Sequence, residues 1–423
     1  MLTPADSERL TRVGPGTPMG NLFRRYWLPA LLSEEVAEPD GPPVRVRLLG
    51  EDLIAFRDTS GAVGLVSAFC PHRRAPLFFG RNEECGLRCV YHGWKFDRTG
   101  ACVDMPSEPP DSLFKSKVTV EAYPTWDAGG LIWAYLGPPA LEPPHPDYEL
   151  LRAPADHRYM TKSFEDCNYL QALEGGVDPT HARILHNRDI GDLSFINKYD
   201  ELVAELHLEK TSYGFTYAGI RQRGEFDWVR RYHWIMPTFH MRGSNEGLAQ
   251  MARKDEVPTV NGHIWIPIDD EQVWVYNFDF SADPNVPLSR EQVMTHETRL
   301  GRGAGLDANH MSKRNRSNDY MIDRAKQKAS SMTGIDGINT QDLAVQEGMG
   351  ATSDRSLEHL GTTDRAVITL RQFLLDAVTA SETGGTLPAL DPSTYRNVRA
   401  VDRFVPKDRS WQAETNDDVA ARY

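Results

Sequence analysis

The chain has 423 residues, 40% of them hydrophobic, and a formal net charge of −13. That length suggests two or three domains' worth of chain, with apolar residues enough to build packed cores. The acidic balance argues against nucleic acid, because phosphate binding needs a basic surface and none stands out. With no run of about eighteen apolar residues and no charged-then-apolar leader, neither a membrane span nor a secretory signal is expected.

Residues 1–40 read as a helical arm carrying an Arg24-Arg25-Tyr26-Trp27 anchor, and Val44 to Phe56 as a strand-rich stretch of alternating character. Leu131 to Gly137 reads as a further strand, and the proline-rich run from Gly137 to Pro146 as a linker. The boundary is placed near residue 150, which gives a small β domain over 41–150 and a larger domain over 151–423. In the larger domain, runs at Leu202–Leu208, Phe215–Ile220, Tyr232–Met236 and Val273–Phe280 suggest an antiparallel sheet. Helical patterns around 161–187, 288–300, 338–350 and 364–381 would pack on it, so the fold class is α+β. The polar stretch from Gly303 to Thr333 reads as a lid or a long surface loop.

Two Cys/His motifs stand out, Cys70-Pro-His72 and Cys89-Val-Tyr-His92. One Cys and one His from each of two loops is what a Rieske [2Fe–2S] centre requires, two thiolates on one iron and two imidazoles on the other. Spacing alone leaves open a structural zinc site, since Zn²⁺ takes the same four donors in a tetrahedron. The remaining cysteines, Cys85, Cys102 and Cys167, are odd in number and without framework spacing, as expected of reduced thiols in a cytoplasm. A second constellation, Asp178-x-x-His181-x4-His186, offers the two histidines and carboxylate that hold mononuclear non-haem Fe(II). Histidines five apart on a regular helix point about 140° from each other, so convergence on one metal needs a break, bulge or helix end between them. Asp178-Pro179 reads as an N-cap followed by proline at the first helical position.

The run from Cys70 to Asp97, including Tyr91-His-Gly-Trp94, closely resembles the Rieske domain of bacterial ring-hydroxylating oxygenases. The resemblance extends over most of the chain. GPGTPMGNLFRRYWLPALL at the start, NYLQALEGGVDPTH in the middle and GINTQDLAVQEGMGATSDRSLEHLGTTD toward the end look like the phthalate 4,5-dioxygenase branch of that family. Respiratory Rieske proteins carry an extra cysteine pair bridging the cluster loops; Ala75 and Tyr91 stand in the matching places here, which points to the oxygenase branch. The family plan implies a Rieske β-sandwich followed by a helix-grip catalytic domain on an antiparallel sheet. It implies Cys70, His72, Cys89 and His92 as cluster ligands, and His181, His186 and Asp342 as iron ligands. The residues alone do not choose Asp342 from Asp336, Glu347, Asp354 or Asp364. By the same resemblance Asp178 links His181 to a neighbouring subunit's cluster, and Asn318-Asp-Tyr-x-Ile-Asp-Arg324 points to an ordered approach to the ligand helix.

The implied activity is that of a terminal oxygenase acting on an aromatic, phthalate-like carboxylate with O₂, by cis-dihydroxylation or alternatively by monooxygenation or O-demethylation. No G-x-G-x-x-G follows a strand and opens a helix, so NAD(P)H and flavin enter only through a separate flavin and iron–sulfur reductase. A homotrimer or a dimer of trimers is implied. Arg221, Arg223 and Arg242 are the candidate carboxylate binders, since arginine grips carboxylate bidentately. A stand-alone Rieske electron carrier and a zinc-stabilised binding module are the competing classes. The carrier would have no use for the second constellation.

Overall fold

The computed structural model describes residues 2–187, 202–244 and 257–423. The chain forms two compact units, Val13–Pro143 and a second made of Met1–Arg12 together with Pro144–Tyr423. The divisions thus fall at 12 and 143 instead of 40 and 150. The first helix, Pro4–Thr11, belongs to the second unit because its C-terminal carbonyls are used there: Leu10 accepts from Tyr169 Oη and Thr11 from Asn168 Nδ2. The rest of the expected arm joins the first unit, partly as a strand.

The Val13–Pro143 unit consists of three small antiparallel sheets. One pairs β1 (Trp27–Leu32) and β10 (Thr125–Ala128) with β11 (Leu131–Tyr135). The next runs β2 (Val44–Leu48), β3 (Glu51–Arg57), β4 (Val63–Ser67) and β9 (Ala122–Tyr123). The last is a meander of β5 (Arg81–Glu83), β6 (Gly86–Arg88), β7 (Lys95–Phe96) and β8 (Cys102–Asp104). Ile54, Phe56, Val66, Leu77, Leu87, Trp94 and Phe96 form a core that also encloses Cys70 and Cys89. Each such large apolar side chain contributes about 1.5–3 kcal/mol on burial, so both thiols sit where the chain is best fixed.

The second unit is built on one eight-stranded antiparallel sheet. Its path is β12 (Arg158–Glu165), β18 (Val273–Ser281), β17 (Thr259–Pro267), β16 (Phe239–Ser244), β15 (Phe226–Ile235), β14 (Gly214–Arg223) and β13 (Glu205–Lys210), with β19 (Val401–Pro406) also paired to β15. The helical reading of 161–187 is corrected at its start, because residues 158–165 pair along their whole length with β18. Helices follow at Tyr169–Val177, His181–Leu185, Arg290–Leu300, Ile338–Gly348 and Arg365–Thr383. Register puts Phe215, Trp234, His240, His263, Asn277 and Thr161 opposite one another across six strands, hence on one face. The Tyr169–Val177 helix covers that face: a Cβ on Gly176 would lie 2.2 Å from the Trp265 ring, and Tyr217 Oη donates to Val177 O at 2.8 Å. Only a glycine lets this helix come so close.

The 303–333 stretch is ordered. It contains turns at Gly303–Gly305 and Arg316–Met321 and a helix at Arg324–Ala329. Tyr320 packs with Ile335 and with Leu343 of the Ile338–Gly348 helix, and its hydroxyl donates to Glu347.

Candidate metal centres

The two cluster loops repeat one design. In the first, Cys70 N donates to Ala75 O and Cys70 O accepts from Arg74 N, both at 2.9 Å. In the second, Cys89 N donates to Trp94 O at 2.8 Å and Cys89 O accepts from Gly93 N at 2.9 Å. Each loop closes through a left-handed residue, Arg74 at φ +59 and Gly93 at φ +79. The loops lift His72 and His92 out of the core, with ring centroids 4.3 Å apart, while Trp94 stacks on His72 at 4.3 Å.

The donor set fits a two-iron cluster. Both thiols are buried, and His72 Nδ1 is buried without a hydrogen-bond partner. Burial, with the adjacent Cys89 thiol adding to it, pushes the Cys70 thiol up to about 11. Iron would displace a proton otherwise held there.

A different set does converge. His181, His186 and Asp342 present donor atoms within 4.8 Å of one another. His181 opens its short helix and His186 sits at the C-cap, at φ −91 and ψ 11. The helix therefore ends between regular positions five apart, which meets the geometric demand, and the rings stand 5.3 Å apart at 83°. Asp342 comes from the Ile338–Gly348 helix, with Oδ1 at 3.5 Å from His181 Nε2 and 3.3 Å from His186 Nε2. That helix starts at Gly337, φ +90, where a Cβ would meet Gly301 Cα at 2.7 Å. Two imidazole nitrogens and a carboxylate oxygen are the donors that suit non-haem Fe(II).

Asp178 lies beside this set. Its Oδ1 accepts from Thr180 N at 2.7 Å, and its Oδ2 faces His181 N at 3.2 Å and His181 Nδ1 at 3.3 Å. The helix beyond it begins at His181 with Thr180 as its N-cap, so Asp178 is not the N-cap and Pro179 is not the first helical residue; Asp178 stands instead at the C-cap of the Tyr169–Val177 helix. Burial works against protonation of His181, but the bond to Asp178 and the charges of Asp342 and Asp178 outweigh it and hold the ring above its ordinary pKa.

Of the three arginines, Arg242 is the one whose charge acts on the triad. It is half-buried, and its guanidinium has no hydrogen-bond or ion-pair partner among the described residues. Burial, reinforced by the charge of Arg230, lowers it to about 10. Its charge reaches both Asp342 and His181. Arg221 is engaged elsewhere. Its Nη2 donates to Pro179 O at 2.5 Å and its Nε to Leu202 O at 3.3 Å, bracing the loop between Asp178 and His181. Arg223 lies over the Trp228 ring at 5.7 Å.

Several supporting residues carry no motif. Glu174 receives Arg355 and Arg371, and Gln341 Oε1 lies 2.8 Å from His186 Nδ1. Tyr217 Oη, which donates to Val177 O, is also 2.9 Å from His240 Nε2. Burial keeps His240 and His263 well below the ordinary histidine pKa, so both are neutral.

Comparison with known proteins bears on both units. Residues 26–124 match the Rieske [2Fe–2S] domain family and residues 134–422 the LigXa C-terminal domain-like family. The phthalate 4,5-dioxygenase oxygenase subunit of Pseudomonas putida is 38% identical, covering 100% of this chain and 96% of its own. The 3-chlorobenzoate-3,4-dioxygenase oxygenase subunit of Comamonas testosteroni is 36% identical over 97% of both chains. The 5,5'-dehydrodivanillate O-demethylase oxygenase subunit of Sphingobium is 31% identical, covering 100% of this chain and 91% of its own. Dicamba monooxygenase bound to dicamba shares the fold, with a TM-score of 0.61 at 19% identity over 85% of this chain and 98% of its own. The chain therefore belongs to the Rieske oxygenases, as an oxygenase subunit that joins a Rieske [2Fe–2S] domain to a LigXa-like C-terminal catalytic domain.

Proposed function

We propose that this subunit hydroxylates an aromatic carboxylate of the phthalate or benzoate kind by cis-dihydroxylation. In this reading Cys70, His72, Cys89 and His92 hold the cluster, and His181, His186 and Asp342 hold the iron. When bound, the cluster supplies single electrons and Fe(II) supplies open coordination positions for O₂.

The observation that carries the substrate class is Arg242. Arg242 is a half-buried guanidinium whose charge acts on both Asp342 and His181, which suits it to receive an anionic group. A carboxylate accepting two of its N–H groups would orient the attached ring toward the triad, and orientation decides which carbon reacts. Arg221 braces the His181 loop in this scheme, and Arg223 takes no part. Asp178 holds His181 Nδ1, and its remaining lone pairs are offered to His72 or His92 of the next subunit in a head-to-tail homotrimer, or in a dimer of such trimers. Electrons come from a separate reductase carrying flavin and a plant-type iron–sulfur domain, within a cytoplasm that keeps Cys85, Cys102 and Cys167 as reduced thiols. No helix among the described residues is long and apolar enough to cross a membrane.

A second reading, monooxygenation or O-demethylation, is supported by the O-demethylase oxygenase subunit that is 31% identical over the whole of this chain. A single turnover separates the two. Chemically reduced protein is mixed with O₂ and, separately, phthalate, isophthalate, benzoate, phenoxybenzoate or a methoxybenzoate, with products identified by mass. A dihydrodiol supports dihydroxylation, and a phenol or demethylated acid supports the second reading. If the cluster stays reduced with every acid, the aromatic-carboxylate assignment is wrong.

A further inference from the structure

Gln341 is not used in the scheme above, yet it is 1% exposed and both ends of its amide are committed. Nε2 donates to the Ile335 carbonyl at 2.7 Å. A carbonyl oxygen only accepts, so the amide cannot be turned round, and Oε1 must be the atom 2.8 Å from His186 Nδ1. Oε1 only accepts as well. The proton of a neutral His186 therefore resides on Nδ1, and the lone pair is left on Nε2. Nε2 faces Asp342 Oδ1 at 3.3 Å, two acceptors that repel unless a cation stands between them.

We propose that Gln341 is a positioning residue which fixes the Nδ1–H form of His186 and reserves Nε2 for Fe(II), an inference that rests on the iron assignment above. Gln341 and Asp342 are consecutive on one helix, and successive side chains diverge by about 100°. The helix thereby brackets the imidazole, with the amide on one nitrogen and the carboxylate beside the other. His181 differs, since its Nδ1 faces the carboxylate of Asp178 at 3.3 Å. A carboxylate raises the basicity of a ligand imidazole, whereas a neutral amide chiefly orients it. The two histidines are thus held by chemically unlike partners.

The test uses full-length protein with its cluster in place, and reads the Fe(II) dissociation constant by competition with a chelator. Visible absorption of the cluster and the thermal transition report folding. Gln341→Leu and Gln341→Met remove the acceptor at similar volume; Gln341→Glu retains it. The expected result is a loss of Fe(II) affinity of about 10–100-fold in the Leu and Met variants, with the cluster spectrum unchanged and affinity restored to within a few-fold in the Glu variant. Wild-type affinity in either apolar variant that keeps the wild-type transition overturns the proposal. So does an equal loss in all three. His186→Ala separates the layers: if it too binds Fe(II) as wild type, the iron assignment itself fails, whereas iron lost in His186→Ala and kept in Gln341→Leu removes only the role of Gln341.

Discussion

Glu174→Ala would remove the anchor of the helix that leads into Asp178. Glu174 Oε1 accepts from Arg371 Nε at 2.6 Å and from Arg355 Nε at 3.2 Å, and Oε2 accepts from Arg355 Nη2 at 3.1 Å. Arg371 would keep Glu358, which it grips at 2.5 and 3.0 Å. Arg355 is 0% exposed and, among the described residues, would keep only the Ser353 carbonyl at 3.4 Å, leaving a buried cation without a carboxylate. Breaking a buried pair from one side costs about 3–5 kcal/mol, against about 0–1 kcal/mol for an exposed pair such as Arg9–Glu382. The measurement is denaturant unfolding by tryptophan fluorescence, to which both units contribute, with cluster absorption followed separately to mark the first unit, because a two-domain chain has no single unfolding free energy. Adding Arg355→Met should recover part of the loss, since the unpaired charge is what costs. A loss under about 1 kcal/mol, or a double variant worse than the sum of the singles, would refute this reasoning.

Gly337→Ala would place a methyl group 2.7 Å from Gly301 Cα at φ +90, so the ligand helix must shift; iron per subunit should fall and stability drop by about 1–3 kcal/mol, and full iron with an unchanged melting curve would contradict it. Arg242→Leu is expected to weaken substrate binding by 10-fold or more, about 1.4 kcal/mol, at normal iron content, while Arg221→Leu lowers iron content first; metal analysis and substrate titration of both variants check the contrast. His233 sits within 2.8 Å of Tyr213 Oη, and burial, then the charge of Arg231, lowers it from 6.5 to about 3. The unfolded chain thus binds a proton between those values that the folded protein refuses, so this contribution to stability is present above pH 6.5 and lost as pH falls toward 3. His233→Gln should flatten the acid-side slope of stability by about 1.4 kcal/mol per pH unit, and an unaltered slope between pH 6 and 4 would show that the ring is not held neutral.

The sequence was legible where chemistry leaves a local mark. The Cys/His loops declare two pairs of donors, and the five-residue spacing of His181 and His186 demands a helix end, which His186 supplies. Asp342 was legible only through resemblance, since its meeting with the histidines depends on a helix some 155 residues away in the chain, as the His186–Gln341 contact shows. Residues 158–165 misled because RYMTKSFE has no clean alternation, and pairing with β18 made it a strand. Arg221 misled for a related reason: alternation placed it on a strand face but could not reveal the two carbonyls that occupy its donors. Gln341 left one faint signal, its position immediately before Asp342.

The division of the chain at 12 and 143 has a consequence for assembly. The Rieske unit is an insertion, held at both ends by the catalytic unit, so it cannot be released by one proteolytic cut or obtained by trimming a single terminus. During synthesis the Pro4–Thr11 helix emerges before Val13–Pro143 but must wait for residues 144 onward, while Val13–Pro143 has all it needs to condense as soon as it is made. The Val13–Pro143 unit can therefore condense before His181, His186 and Asp342 come together, which happens only once Asp342 has been translated.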